Sequence, residues 1–233
     1  MRKSGCEVCN APLLYNTEIT RLSCFYCEKE FDADVYCSNG HYVCDACHRV
    51  DANDLIVRYC LNYNGTNPIE LSNDIMQQPV FNMHGPEHHF LVPAVLFICY
   101  NNLNFITRNP EKVLQLLRSR MVKIPGGICA THGGCGAVLG LGAFISYITS
   151  VTPLSGKIWA DVHSATGAAL MDVSKYGGPR CCKRNVYIAI LAGIHWLSES
   201  RSVMLEGTPE INCSFHTIDA DCIKKRCLFF KST

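Results

Sequence analysis

The sequence predicts a mainly α protein, in which a small cysteine-rich N-terminal module is followed by an α-helical domain with buried Gly/Ala-rich helices. Three observations predict it. Seven of the sixteen cysteines fall in the first 50 of 233 residues, mostly as C-x-x-C pairs. From residue 51 onward, apolar residues recur at helical spacing behind Asn-Pro starts. Between Lys123 and Lys157 there is no Asp, Glu, Lys or Arg, and that stretch is rich in glycine and alanine.

Composition bounds the rest. With 48% hydrophobic and 18% charged residues, the chain can build a sizeable core. A net charge of +1 argues against a broad nucleic-acid surface. Met1-Arg2-Lys3-Ser4 carries no apolar leader, so the thiols are expected to stay reduced, in a cytoplasmic setting, and to ligate metal rather than form disulfides. The uncharged stretch 124–156 is long enough to be considered as a membrane span. Its Pro125, His132, Pro153 and many glycines favour a buried helix instead.

The first 50 residues hold Cys6-x-x-Cys9, Cys24-x-x-Cys27, Cys37-x3-His41 and Cys44-x-x-Cys47. Four ligand pairs suffice for two closed tetrahedral zinc sites, which replace the core that so short a segment cannot build. Cys37, His41, Cys44 and Cys47 on one ion would force very tight connections. Interleaving relieves this, with Cys6, Cys9, Cys37 and His41 on one zinc and Cys24, Cys27, Cys44 and Cys47 on the other. The string Cys37-Ser-Asn-Gly-His-Tyr-Val-Cys-Asp-Ala-Cys resembles the central part of a RING-type cross-brace finger. The usual RING order of pairs is not kept, so ubiquitin-ligase activity is not implied. The domains expected are a zinc-binding module over 1–50 and a Cys/His-rich helical domain over 51–233.

Asp51-Ala-Asn-Asp precedes an amphipathic helix with Cys60 on its apolar face. Asn67-Pro68 and Asn109-Pro110 open two more helices, the first ending before Pro79 and the second running to about Met121. Pro86 is read as opening a nearly all-apolar helix. That places Glu87, His88 and His89 in its first turn and His84 just ahead, a candidate metal or proton-transfer site.

Next comes Pro125-Gly-Gly-Ile-Cys129-Ala-Thr-His132-Gly-Gly-Cys135. Gly126, Gly127, Gly133 and Gly134 permit positive φ and could offer N–H groups to an anion or a cluster sulfide. Gly136, Gly140 and Phe144 follow at helical spacing and would let a neighbouring helix approach closely. A further helix is read from Ala160 to about Lys175. Gly-Gly-Pro-Arg180-Cys181-Cys182-Lys-Arg then repeats the glycine-proline-thiol theme. Thiols at that helix start, beside Arg180, Lys183 and Arg184, are expected to have lowered pKa values. The tail carries Cys213, His216, Cys222 and Cys227. These could complete a metal or iron–sulfur site with Cys181 or Cys182, or be free thiols packed on the domain.

The strings His84-Gly-Pro-Glu-His-His-x-Leu-Val-Pro-Ala, Gly-Gly-x-Cys129-x5-Cys135-Gly-Ala and Gly-Gly-Pro-Arg-Cys-Cys-Lys-Arg resemble an uncharacterised Cys/His-rich domain family of methanogens and other anaerobes. That family occurs alone or fused to radical-SAM enzymes. The resemblance covers about residues 50–230 and implies an anaerobic metal or redox context, with no defined activity.

Three function classes follow. One is a redox or metal-dependent enzyme whose pocket gathers His84, His88, Cys129, His132, Cys135, Cys181 and Cys182 at one end of the buried helices, with Arg180 and its basic neighbours on an anionic substrate. Another is a non-catalytic metallo-adaptor docking a radical-SAM or other redox enzyme. The third is a nucleic-acid-binding finger protein, which the charge disfavours.

Overall fold

The computed structural model describes residues 5–6, 8–9, 11–25, 28–78, 80–207 and 210–231. Among them are one antiparallel hairpin and eight α-helices, a mainly α architecture with a small cysteine-rich N-terminal part.

The hairpin pairs β1 (Leu13–Ser23) with β2 (Glu30–Cys37), two strands the sequence reading did not anticipate. β1 is exposed along nearly its whole length, so no apolar alternation announces it. The register shifts between Tyr15 and Thr20, and such irregularities bend a ribbon. The bend matters, because a straight strand of β2's length spans roughly 25 Å. Phe25, just past β1, instead packs edge-on against His41, beyond the far end of β2, with ring centroids 5.2 Å apart.

Helix α1 (Asp45–Asn62) starts six residues earlier than Asp51 suggests. Cys44 is its N-cap residue, so one continuous helix runs from the metal-ligand module into the core, where Ile56 and Cys60 are fully buried. α2 (Pro68–Met76) and α4 (Pro110–Met121) begin as their Asn-Pro starts predict. Asn67 Oδ1 accepts from the N–H groups of Ile69 and Glu70, and Asn109 Oδ1 from that of Lys112.

The core is built round α3 (Glu87–Asn104), which packs against α1, α2, α4, α6 and α8. α6 (Gly136–Thr149) crosses it where the glycines sit. A Cβ on Gly136 would run into the His89 ring, and one on Gly140 would lie 2.5 Å from the His89 carbonyl oxygen. Gly140→Ala should therefore lose overpacking energy of about 1–3 kcal/mol and regain about 1 kcal/mol of helix propensity. The expected net loss of about 1 kcal/mol is readable from urea unfolding midpoints.

α7 (Lys157–Ser174) buries only Val162 and Ala169, and α8 (Cys182–Arg201) closes the bundle. The short α5 (Ile128–Thr131) lies on the surface. The tail, with 3-10 turns at Ser214–Thr217 and Lys224–Arg226, folds back so that Phe215 and Phe229 are buried, Phe229 against Tyr187. No helix of the described residues is long and apolar enough to cross a membrane.

Candidate metal centres and a buried polar seam

The N-terminal ligands gather in the interleaved pattern. Cys6, Cys9, Cys37 and His41 have their ligand atoms within 4.8 Å of one another, and so do Cys24, Cys44 and Cys47. Cys27, expected as the fourth member of the second set, lies outside the described residues.

The first set can be tested against an ion. Tetrahedral zinc with Zn–S about 2.3 Å and Zn–N about 2.0 Å requires edges of about 3.8 Å between sulfurs and about 3.6 Å between sulfur and nitrogen. Cys9 Sγ lies 3.8 Å from Cys37 Sγ. His41 Nδ1 lies 3.2, 3.5 and 3.9 Å from the sulfurs of Cys9, Cys37 and Cys6. These distances fit the edges of one tetrahedral shell, in which Nδ1 would be the histidine's ligand atom.

Donors around the sulfurs favour thiolates. The His41 N–H reaches Cys37 Sγ at 3.2 Å, Asn39 Nδ2 reaches Cys9 Sγ at 3.5 Å, and the Cys44 N–H reaches Cys24 Sγ at 3.3 Å. The backbone N–H of Ala11, with help from His41 and Asn39, brings the exposed Cys9 thiol down to about 6, whereas burial pushes Cys6 up.

In the helical domain the starts of α3, α6 and α8 converge. Gly136 abuts His89, and Asn185 Nδ2 donates to the buried Cys135 Sγ at 3.4 Å. Lys183 Nζ, fully buried, donates to the Asn82 carbonyl at 2.7 Å beneath the Phe81 and Phe215 rings. The Gly85 N–H faces Cys182. His88 donates Nδ1–H to the Gly85 carbonyl at 2.9 Å, which leaves Nε2 a bare acceptor, buried and without a partner. Glu87 is fully buried, its carboxyl 3.6 Å from His88 Nδ1, and neither carboxyl oxygen has a well-formed hydrogen bond. Burial pushes the Glu87 carboxyl up and drives the His88 imidazole well down.

α1 reaches this seam too. His48 has Nε2 3.1 Å from Asn82 Nδ2, and Asp45 accepts the Gly126 N–H at 2.6 Å. The metal-ligand module thus abuts the seam through the first turn of α1. Lys183 and His48 escaped the sequence reading as seam residues. A lysine in an apolar helix start was the available signal for the first.

Several expectations are corrected. Cys129 and His132 sit exposed on and beside α5. His132 bonds Thr131 Oγ1, and neither joins a group of ligand side chains among the described residues. Gly127 and Gly133 do adopt positive φ, but the Gly126 N–H is taken by Asp45, and Gly134 has no positive φ. Burial pushes Cys181 up to about 11 and Cys182 up to about 12, overriding the helix start and its basic neighbours. Cys181 itself is the N-cap residue, its Sγ accepting the Arg184 N–H at 3.4 Å, and Pro179 stands ahead of the helix rather than opening it.

Lys183 and Arg184 are buried and tie segments together, Lys183 through the Asn82 carbonyl and Arg184 Nη2 through the Gly177 carbonyl at 3.2 Å, rather than standing exposed for a substrate. Exposed Arg180 stacks over Tyr15 of β1 at 5.9 Å. His84 leaves His88 for the tail, where its Nε2 lies 3.6 Å from Asp219, and His84, Asp219 and Asp221 form a third ligand group. Burial opposes the Asp219 charge, but His84 holds its carboxyl below the ordinary range.

No curated protein and no solved structure matches the chain. Residues 56–230 match a family of unknown function, DUF5714. That stretch covers α2 to α8 and the tail, and it contains all three converging helix starts. The chain therefore belongs to the DUF5714 family, a family of unknown function.

Proposed function

We propose that the chain is a zinc protein in which a two-site structural finger module braces a helical domain, and that the seam is a redox or metal-dependent Cys/His pocket. The tetrahedral edge lengths among Cys6, Cys9, Cys37 and His41 carry the zinc reading. The pocket reading rests on a buried carboxyl and a bare buried imidazole nitrogen set beside Cys182. Unpaired polar groups in a core cost stability and are kept where they act. His88 would accept a proton at Nε2, Glu87 would hold one, and the apolar walls of Phe81 and Phe215 would exclude water.

Elemental analysis of anaerobically purified protein tests this. Two zinc ions per chain are expected, unchanged by Cys129→Ser or Cys135→Ser and absent when Cys37 and Cys44 are both replaced. Zinc retained in that double variant would refute the module. In protein that also carries Cys213→Ser and Cys227→Ser, any metal or redox signal beyond zinc should fall when His88 and Cys182 are replaced together. Persistence of that signal would refute the pocket.

One observation favours the adaptor as a second reading. Tyr15, Ile19 and Phe25 on and beside the hairpin are more than half exposed. A radical-SAM partner should then bind the wild type and lose affinity for an Ile19→Ser/Phe25→Ser variant that keeps both zinc ions.

A further inference from the structure

We infer that Cys181, Cys213, Cys222 and Cys227 hold an iron–sulfur cluster in the recess beneath the C-terminal tail. This centre is separate from the zinc module and stands whether or not the seam is catalytic.

All four thiols line one recess, part of it open to solvent. Three segments supply them: the start of α8, the strand-like entry to Ser214–Thr217, and the two sides of the turn Lys224–Arg226. The neighbouring thiols Cys181 and Cys182 part company because successive residues of a helix point about 100° apart. Cys181 lines the recess, and Cys182 faces Gly85 and Glu87 in the seam.

Spacing separates a cluster from a single ion. Among the described residues, the finger ligands come within 4.8 Å of one another, while no three of these four thiols do. A single tetrahedral ion needs sulfurs about 3.8 Å apart. Iron–sulfide cores hold their four cysteines farther apart and draw them from scattered positions.

The surroundings suit a negatively charged, thiolate-bound core. Backbone N–H groups already point at three of the sulfurs: Arg184 at Cys181 (3.4 Å), Lys224 at Cys222 (3.4 Å), and Phe215 and His216 at Cys213. Such hydrogen bonds to sulfur tune cluster potentials. Arg184 lines the recess, is only 3% exposed, and keeps Nη1 without a hydrogen-bond partner. A buried guanidinium N–H with no acceptor calls for an anion. Exposed Lys224, Lys225 and Arg226 add positive charge at the rim. Two carboxylates also line the recess: Asp219, engaged by His84, and Asp221, which is exposed to solvent.

The test is anaerobic purification of the full chain, followed by reconstitution with ferrous iron and sulfide. Iron and sulfide should appear in equal amounts, about two or about four per chain, with visible charge-transfer absorption bleached by dithionite. Cys213→Ser and Cys227→Ser should each cut bound iron several-fold while two zinc ions and the helical circular dichroism remain. Cys129→Ser should leave the cluster intact. Should the serine variants fail to fold, differential alkylation of the wild type replaces them: all four thiols should be protected when loaded and modified after the cluster is removed. The inference is overturned by iron-free protein after reconstitution, by a third zinc bound at these four thiols, by iron kept in the Cys213→Ser/Cys227→Ser double variant, or by thiols equally reactive with and without iron.

Discussion

Replacing Cys37 with serine is expected to release one zinc ion, and replacing Cys44 the other, and each change should unfold most of the first 44 residues. The magnitude follows from what holds that segment. β1 is exposed along nearly its length, and among the described residues of the segment the buried ones are Cys6, Cys24, Cys37 and Cys44. An isolated two-stranded hairpin is marginal in water, so bound zinc would supply the folding energy, on the order of 10 kcal/mol per structural zinc at neutral pH. Cys37→Ser removes one sulfur from a four-member set whose other members are Cys6 and Cys9, ahead of β1, and His41, just past β2. Cys44→Ser should reach further. Cys44 is the N-cap residue of α1, and the following turn carries Asp45, bonded to Gly126, and His48, against Asn82. Hydrogen exchange should show lost protection up to His48 in both variants and at Gly126 and Asn82 in Cys44→Ser. Cys60→Ser, whose thiol lies wholly in the helical core, should keep two zinc ions. Full retention of zinc by either ligand variant, or a folded hairpin in the presence of a strong chelator, would contradict the structural role.

How much of this could be read in advance depends on whether a local rule decides the feature. The interleaved ligand sets could be argued from sequence because His41 and Cys44 are too close along the chain to share one ion comfortably with Cys37 and Cys47. The crossing of α3 and α6 was legible as a stripe of Gly136 and Gly140, since the absence of a side chain leaves one physical use for the space. The hairpin was not legible, because a strand stabilised by metal at its ends needs no alternating pattern. Nor was the reversal at Cys181 and Cys182. The helix start and the basic neighbours are local and lower a thiol pKa, while the burial that raises it comes from Gly85 and a tail 30 to 45 positions onward. His48 was lost for the same reason: its partner Asn82 is 34 residues away. The Cys129 loop shows the converse error. Its composition looked chemical, yet only Cys135, the last of its three candidate ligands, enters the core.

The seam makes a second prediction, in which two buried groups hide each other's pH dependence. Burial pushes the Glu87 carboxyl up and the His88 imidazole down, and these directions are expected to leave Glu87 protonated and His88 neutral in the folded protein between about pH 4.5 and 6.5. In the unfolded chain they titrate near ordinary values, about 6.5 and about 4.3. Between those two values the unfolded state carries one proton, on the histidine, and the folded state carries one, on the glutamate. Proton uptake on unfolding is then zero and the pair contributes no slope. Replacing His88 with Asn should unmask Glu87. Through that window and up to the folded pKa of Glu87, the folded state binds the extra proton, so stability should fall as pH rises, by up to about 1.4 kcal/mol per pH unit. Glu87→Gln should unmask His88 with the opposite sign. The unfolded state then binds the extra proton below about 6.5, and stability should fall as pH drops. Lys183, His48, His84, His89 and Cys182 are the other charged or titratable groups facing the pair. They are common to all three proteins, so the comparison cancels them. Urea unfolding at pH 4.5, 5.5 and 6.5, on zinc-loaded protein, should give profiles for the two variants that tilt in opposite directions relative to that of the wild type. Parallel profiles would mean that the seam is solvated and its groups ordinary, and a pocket built on a bare buried Nε2 would have no physical basis.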